Sequence, residues 1–206
     1  MVVMRRDDEL LQGRSDMKDI KILAFCGSLR QQSYNRFALE ALQIRSPTNV
    51  NIHIFDGLAD LPFFNPDLQL AIEKGDYSVF NLSDNRIDAL ESLQQALSQA
   101  DGLIIASPEY AHGVTGLIKN TLDWLVSGES FINLPIMLIN TSKRASHAKQ
   151  SLQEIVTTMS GEVITEAELN LPLLGSQISS SDALVGSDFV PEIDNALLNF
   201  CRHLSH

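Results

Sequence analysis

Three runs in this sequence, IKILAFC at Ile20–Cys26, GLIIAS at Gly102–Ser107 and PIMLIN at Pro135–Asn140, are short and almost wholly apolar. Each is too short for a stable helix, and none alternates with polar residues, so each reads as a strand covered on both faces. Strands of that kind belong to parallel sheets, and parallel neighbours must be joined by long crossovers, normally helices. Between the runs the sequence supplies them. Asn35 to Arg45 carries Phe37, Leu39, Ala41, Leu42 and Ile44 in a partly helical pattern that Pro47 stops. Ser83 is placed to cap a helix reaching Gln99, with Ile87, Leu90, Leu93 and Leu97 on one face.

Further helices are expected over Val114–Leu125, over His147–Met159 closed by Gly161, and over Val190–Leu204 with Pro191 in its first turn. A second strand lies in NVNIHIFD, with Val50, Ile52, Ile54 and Phe55 as its apolar residues, and a fifth falls within Glu162–Leu169. The stretch from Gly57 to about Leu82, with Pro62, Pro66 and Gly75, reads as one long turn-rich loop. A loop of that length is uncommon unless it forms part of a functional rim.

The length of 206 residues suits one domain, expected over residues 20–206. Residues 1–19 set Arg5, Arg6, Arg14 and Lys18 against Asp7, Asp8, Glu9, Asp16 and Asp19 with little apolar periodicity, and are expected to be a mobile tail. They show neither a signal-peptide core nor a membrane span, and Cys26 and Cys201 form no metal-binding or disulfide spacing, so a reducing cytoplasm fits and no metal site is expected. The formal charge of -11 argues against nucleic acid or an anionic membrane as partner. Distant carboxylates are screened over about 8 Å at physiological salt, so an anion can still bind where the chain builds a local site.

In open parallel sheets ligands bind beyond the carboxyl ends of the strands, at the point where strand order reverses. The loops after the first and third strands therefore matter most. The first, Gly27 to Asn35, has a glycine for a tight turn, the hydroxyls of Ser28 and Ser33, the guanidinium of Arg30 and a helix start with unpaired N–H groups. That set suits a phosphate. It matches neither GxxxxGK[ST] nor GxGxxG, which argues against a nucleotide-triphosphate loop and a dinucleotide fingerprint. The blander alternative is that both serines only cap the turn and helix while Arg30 lies in solvent. The second loop, Ser107 to Gly116, combines Pro108, the Tyr110 ring and several backbone N–H groups, which suits the edge of a planar heterocycle. If that heterocycle gains negative charge on reduction, fixed donors stabilise it.

The two motifs, GSLRQQSYN and SPEYAHGVTGLIKNTLDW, together resemble the NAD(P)H-dependent FMN reductase family, whose signatures are GSLRxxSxN and SPEYxxxxxGxLKNxLDW. Weaker likeness runs through LPFFNPDL at Leu61–Leu68 and NTSKRASHAKQSL at Asn140–Leu152. The resemblance implies a flavodoxin-like α/β fold: a doubly wound, five-stranded parallel sheet of order 2-1-3-4-5 with helices on both faces. It implies non-covalent FMN, with Ser28, Arg30, Ser33, Tyr34 and Asn35 at the phosphate and Pro108, Glu109 and Tyr110 at the isoalloxazine, Glu109 through its main chain. Ser142 would approach the ring, and no side chain would act as nucleophile or acid–base catalyst. NADPH or NADH would donate hydride, and the acceptor would be free flavin, a quinone, an azo or nitro compound or a metal ion. A homodimer or homotetramer is implied. Many members carry Asn after the Tyr, where this chain has Ala111 and then His112.

Other readings stay open in the sequence. His112 is a candidate to contact or tune the flavin, or merely to fix its loop, and no carboxylate partner is visible for it. Lys119 and Asp123, four apart, suit a surface ion pair, and Trp124 suits a subunit contact or the core. Cys26, ending an apolar strand, is expected to be buried filler. Arg144, His147 and Lys149 form a basic patch that could meet a nicotinamide cofactor's phosphate or simply start a helix in solvent. Outside the reductase class, the alternatives are a flavodoxin-type electron carrier and a flavin-binding regulatory module.

Overall fold

The computed structural model describes residues 18–205; the expected tail lies outside them except for Lys18 and Asp19. The apolar runs form β1 (Ile20–Cys26), β2 (Val50–Ile54), β3 (Gly102–Ala106) and β6 (Pro135–Asn140), and β4 (Glu109–Tyr110) and β5 (Gly113–Val114) make a separate small hairpin. The fifth position of the main sheet is split. β7 (Glu162–Val163) pairs with the start of β6 and β8 (Leu169–Asn170) with its end, a 3-10 turn at Thr165–Ala167 lying between them. The order is β2-β1-β3-β6 followed by β7 and β8, all parallel, which is the doubly wound order expected from the sequence.

Alternation along the strands explains the two layers. Ile20, Ile22, Ala24 and Cys26 of β1 point into one core, with helices α1 (Tyr34–Arg45), α6 (Ser181–Val185) and α7 (Val190–Leu204). Leu23 and Phe25 point into the other, with α2 (Pro66–Glu73), α3 (Asp84–Ser98), α4 (Gly116–Leu125) and α5 (Ser146–Thr158). A strand covered on both faces has few polar positions to spare, hence runs that are apolar apart from Lys21 near the start of β1 and Asn140 at the end of β6.

The Gly57–Leu82 stretch differs from the expected loop. Asn65 accepts a hydrogen bond from the Asp67 N–H at 2.9 Å and Pro66 occupies the first turn, so α2 forms there. Its approach is pinned to α4. Trp124 Nε1 and Asn120 Nδ2 both donate to the Pro62 carbonyl, at 2.7 and 3.0 Å, and the Phe64 N–H donates to Asn120 Oδ1 at 2.8 Å. Trp124 is therefore a core residue in this chain, 2% exposed and edge-on to Phe64. Phe63, between the clamped residues, is 87% exposed.

Two further details correct the sequence reading. The helix at 116 starts later than Val114, because Gly113 and Val114 pair back onto Tyr110 and Glu109. After α5 it is Ser160, with φ 65°, that takes the left-handed conformation. Gly161 is needed for close packing instead: a Cβ there would lie 2.7 Å from Ile136 and 2.8 Å from Phe131.

Candidate active site

The Gly27 N–H donates to the Ala106 carbonyl at 2.7 Å, so the loops leaving β1 and β3 start side by side. Gly27 permits this approach, since a Cβ there would sit 2.7 Å from Ser107 Oγ and 2.8 Å from Ile118. Beyond that point the β1, β3 and β6 loops surround a cavity of about 290 Å³. Nine of the ten residues singled out in the sequence line it: Ser28, Arg30, Ser33, Tyr34 and Asn35 on one side, Pro108, Glu109 and Tyr110 on another, and Ser142 on the third. The remaining one, His112, does not.

On the first side both serines serve as turn and helix caps. Ser28 Oγ accepts from the Arg30 N–H and Ser33 Oγ from the Arg36 N–H, each at 3.3 Å. A hydroxyl that accepts still has its own proton to donate, so the capping role leaves Ser28 and Ser33 with a donor for the cavity. No acidic residue occupies the first turn of α1, which leaves the positive end of its dipole uncompensated. Arg30 has no ionic partner among the described residues, whereas Arg36 is taken up by Glu40 at 2.9 Å and Asp56 at 2.5 Å. Asn35 is buried and its Oδ1 accepts from Thr141 Oγ1 at 3.3 Å, joining the β1 and β6 loops. Cys26 is a thiol held in the core: burial pushes its pKa up, and Sγ faces the Ser28 carbonyl at 3.5 Å.

On the second side the hairpin turn sits at Ala111 and His112, whose φ values are 50° and 58°. Two consecutive left-handed residues between paired strands are the mark of a tight two-residue turn, and Asn or Gly adopt that conformation at least cost. The replacement of Asn by Ala111 therefore falls on a backbone position that favours Asn for its own φ. Glu109 lies across the cavity's edge from α5. Its Oε2 accepts from the Ala148 N–H at 2.8 Å, and its Oε1 is 3.3 Å from His112 Nδ1. The Ala148 hydrogen bond holds the carboxyl below its ordinary pKa against an opposing desolvation, with the nearby His147 and His112 rings adding to the lowering. His112 thus has the partner that its sequence position concealed. It is also 77% exposed, edge-on to His147 with ring centroids 4.6 Å apart.

The third side comes from the end of β6. Asn140 Oδ1 accepts the Ser142 N–H at 3.0 Å and Ser142 Oγ accepts the Arg144 N–H at 3.2 Å, a turn that brings Arg144 and Ala145 to the cavity. Asn140, Thr141, Ala145 and Leu174 line it as well. The first two had a signal: polar side chains directly at the end of an apolar strand, as Ser28 and Ser107 stand after β1 and β3. Leu174 had none, since it arrives only because β8 continues along β6, with Leu173 N donating to the Thr141 carbonyl at 3.1 Å. The basic patch is smaller than its sequence suggests, because Lys149 is paired with Glu168 at 2.5 Å. Lys119 and Asp123 form the expected surface pair.

The donor set fits a flavin mononucleotide: hydroxyls, a guanidinium and a helix N-terminus at one end, a rigid loop with an exposed aromatic ring at the other. Comparison with known proteins bears on the same point. The family model described as NADPH-dependent FMN reductase matches residues 20–173. The chain belongs to that family. It is 25% identical over 154 residues to a quinone reductase of Escherichia coli, covering 72% of this chain and 76% of that one. It is 27% identical over 197 residues to subunit 2 of an NADH-dependent flavin reductase of Lactobacillus johnsonii, covering 89% and 96%. In fold it is similar to the NAD(P)H:(acceptor) oxidoreductase FerB of Paracoccus denitrificans, with a TM-score of 0.67 at 18% identity over 89% of this chain and 98% of that one. This flavodoxin-like member of the FMN reductase family is an FMN-dependent NAD(P)H oxidoreductase.

Proposed function

We propose that the cavity at the carboxyl ends of β1, β3 and β6 holds FMN and that a quinone is the acceptor to which this chain delivers the electrons of NADPH or NADH. The observation that carries the assignment of the site is the meeting of three strand-end loops around one cavity that presents phosphate-type donors on one side and an aromatic-bearing hairpin on another. Ser28, Arg30, Ser33, Tyr34 and Asn35 hold the phosphate; Pro108, Glu109, Tyr110 and Ser142 border the ring system. FMN supplies the hydride acceptor and the one- or two-electron return that amino-acid side chains lack. The protein's part is to fix the phosphate, keep a ring face open to both substrates and present fixed N–H groups to the ring edge. His112 lies outside the lining and acts on the site only through its loop.

A quinone as acceptor is supported by the Escherichia coli relative's name, and free flavin by the Lactobacillus johnsonii one. Residues 20–206 act as one FMN-binding domain, in the cytoplasm and without nucleic-acid or membrane partners. Among the described residues no helix is long and apolar enough to cross a membrane. The chain works as a homodimer or homotetramer. Phe63 supports this: an aromatic ring held stiffly by its clamped neighbours and left in solvent is the sort of anchor that subunit interfaces bury.

The deciding experiment is the visible spectrum of FMN-reconstituted protein before and after anaerobic NADPH or NADH, followed by menadione, free FMN and an azo dye. A flavin band that bleaches with the nicotinamide alone and returns with menadione is expected. Protein that takes up no FMN overturns the site assignment. Bleaching that needs a second protein makes the chain an electron carrier instead.

A further inference from the structure

Helix α5 begins without a cap of its own. Its N-cap residue is Ala145, which has no side-chain acceptor, and none of its first-turn N–H groups is satisfied by a neighbour in sequence through a capping side chain. The N–H that an N-cap side chain ordinarily satisfies, that of the third helical residue, is here Ala148 N–H. It is bonded instead by Glu109, which lies 39 residues earlier on the hairpin that borders the cavity. Ala145 and Glu109 both line that cavity, so the bond joins two adjoining walls of the site.

We propose that Glu109 is a positioning residue that holds the β4–β5 hairpin in register with the Ser142–Ala145 turn, so that both walls meet FMN as one rigid unit. A local cap at Ala145 would have stabilised α5 equally well and left the hairpin unconnected. The hairpin needs the tie, because it is a two-strand ribbon of two residues each with two left-handed residues at its tip. The second carboxylate oxygen faces His112 at that tip, and His147 packs edge-on against His112 from the first turn of α5, so the carboxylate is the hub of the contact. The proposal rests on FMN occupying this cavity.

The test separates hydrogen bond from charge and cap from position. Glu109→Gln keeps an acceptor and loses the charge; Glu109→Asp keeps the charge but falls one methylene short. Loss of a hydrogen bond to a fixed donor is expected to weaken FMN binding about tenfold in Glu109→Ala and Glu109→Asp, with Glu109→Gln within about threefold of the parent. Hydrogen exchange at the Ala148 amide of the FMN-free protein should quicken in Ala and Asp but not in Gln. The double variant Glu109→Ala, Ala145→Ser returns an acceptor to the helix from its own N-cap. It should recover the melting temperature and Ala148 protection while FMN stays weakly bound, Ala145→Ser alone being measured as the reference for any direct effect on the cavity. Recovery of FMN binding together with stability reduces Glu109 to a helix cap and overturns the proposal, as does Glu109→Asp binding like the parent while Glu109→Gln binds like Ala. Should the parent itself bind no FMN, the site assignment fails, and the exchange data still report whether Glu109 joins the two walls.

Discussion

A cleft at the amino ends of the strands encloses about 380 Å³, against about 290 Å³ at the carboxyl ends, yet the two differ in which polar groups face inward. The amino-end cleft is bordered by Lys21, Ile22 and Leu23, by Asn51 and His53 of the sheet edge, and by Ser92 and Gln95 of α3 with Gln99 at its C-cap. A helix C-terminus offers carbonyl oxygens and negative partial charge, which disfavour an anion. The Lys21 N–H is already taken by Asp101 at 2.8 Å. The carboxyl-end cavity meets the beginning of α1 and a hairpin tied to the beginning of α5, where N–H groups point outward. Polarity of the chain, inherited from the parallel sheet, makes one end favour an anion and the other disfavour it, whatever their volumes.

That contrast can be broken most severely at Gly27. Gly27→Ala forces a methyl against Ser107 and Ile118 and should cost about 1 to 3 kcal/mol in urea unfolding while abolishing FMN uptake in fluorescence titration. Ser92→Ala in the opposite cleft should stay within about 0.5 kcal/mol and bind FMN normally. Equal effects at both ends would dissolve the distinction. Next in size is Arg30→Ala, expected to weaken FMN about tenfold at low salt and less at high salt, because an exposed guanidinium pairs with phosphate through a screened charge. Lys21→Ala, the cation of the other cleft, should leave FMN binding unchanged.

Acid acts on both ends. Glu109 is lowered by the Ala148 N–H, and Asp101, although partial burial pushes it up, is lowered overall by Lys18 and the Lys21 N–H. A carboxyl with a depressed folded-state pKa stabilises the fold above its unfolded value and loses that contribution as pH falls through the folded one. The melting temperature should therefore be level from neutrality down to about pH 5 and fall below about pH 4.5, less steeply in Glu109→Gln than in the parent. A fall that starts well above pH 5 would mean that these two carboxylates are not its cause. The smallest expected effect is a gain: Ala111→Asn should stabilise the hairpin by about 0.5 to 1 kcal/mol, since Asn tolerates the left-handed φ that Ala111 adopts. Loss of stability there would mean that the turn is not at its natural φ.

What could be read beforehand follows the same physics. β1, β3 and β6 announced themselves because double-sided burial admits only apolar residues, and the first cavity wall because Gly27 to Asn35 concentrates donors in nine successive positions. Helix α2 has its signal in Asn65-Pro66-Asp67, a cap, a first-turn proline and an acidic first turn, masked by the prolines and Gly75 around it. The β4–β5 hairpin was hidden because Ala111-His112 lacks the Asn-Gly or Asp-Gly that usually marks such a turn. The Glu109–Ala148 and Lys149–Glu168 contacts join residues that only the folded sheet brings together, so no local pattern could reveal them. The sequence places a fifth strand within Glu162–Leu169, but the turn at Thr165–Ala167 divides that window into two short pieces, the second reaching Asn170.

That broken border has an effect of its own. A long, straight rim of unpaired backbone groups invites a neighbouring molecule to extend the sheet, the first step toward fibrils. Here one margin is chopped into two dipeptides separated by a kink, and the other, β2, alternates Val50, Ile52 and Ile54 with outward Asn51 and His53. The chain can carry a core of nearly pure aliphatic strands while its β7–β8 margin gives a neighbouring molecule only two residues at a time to pair with.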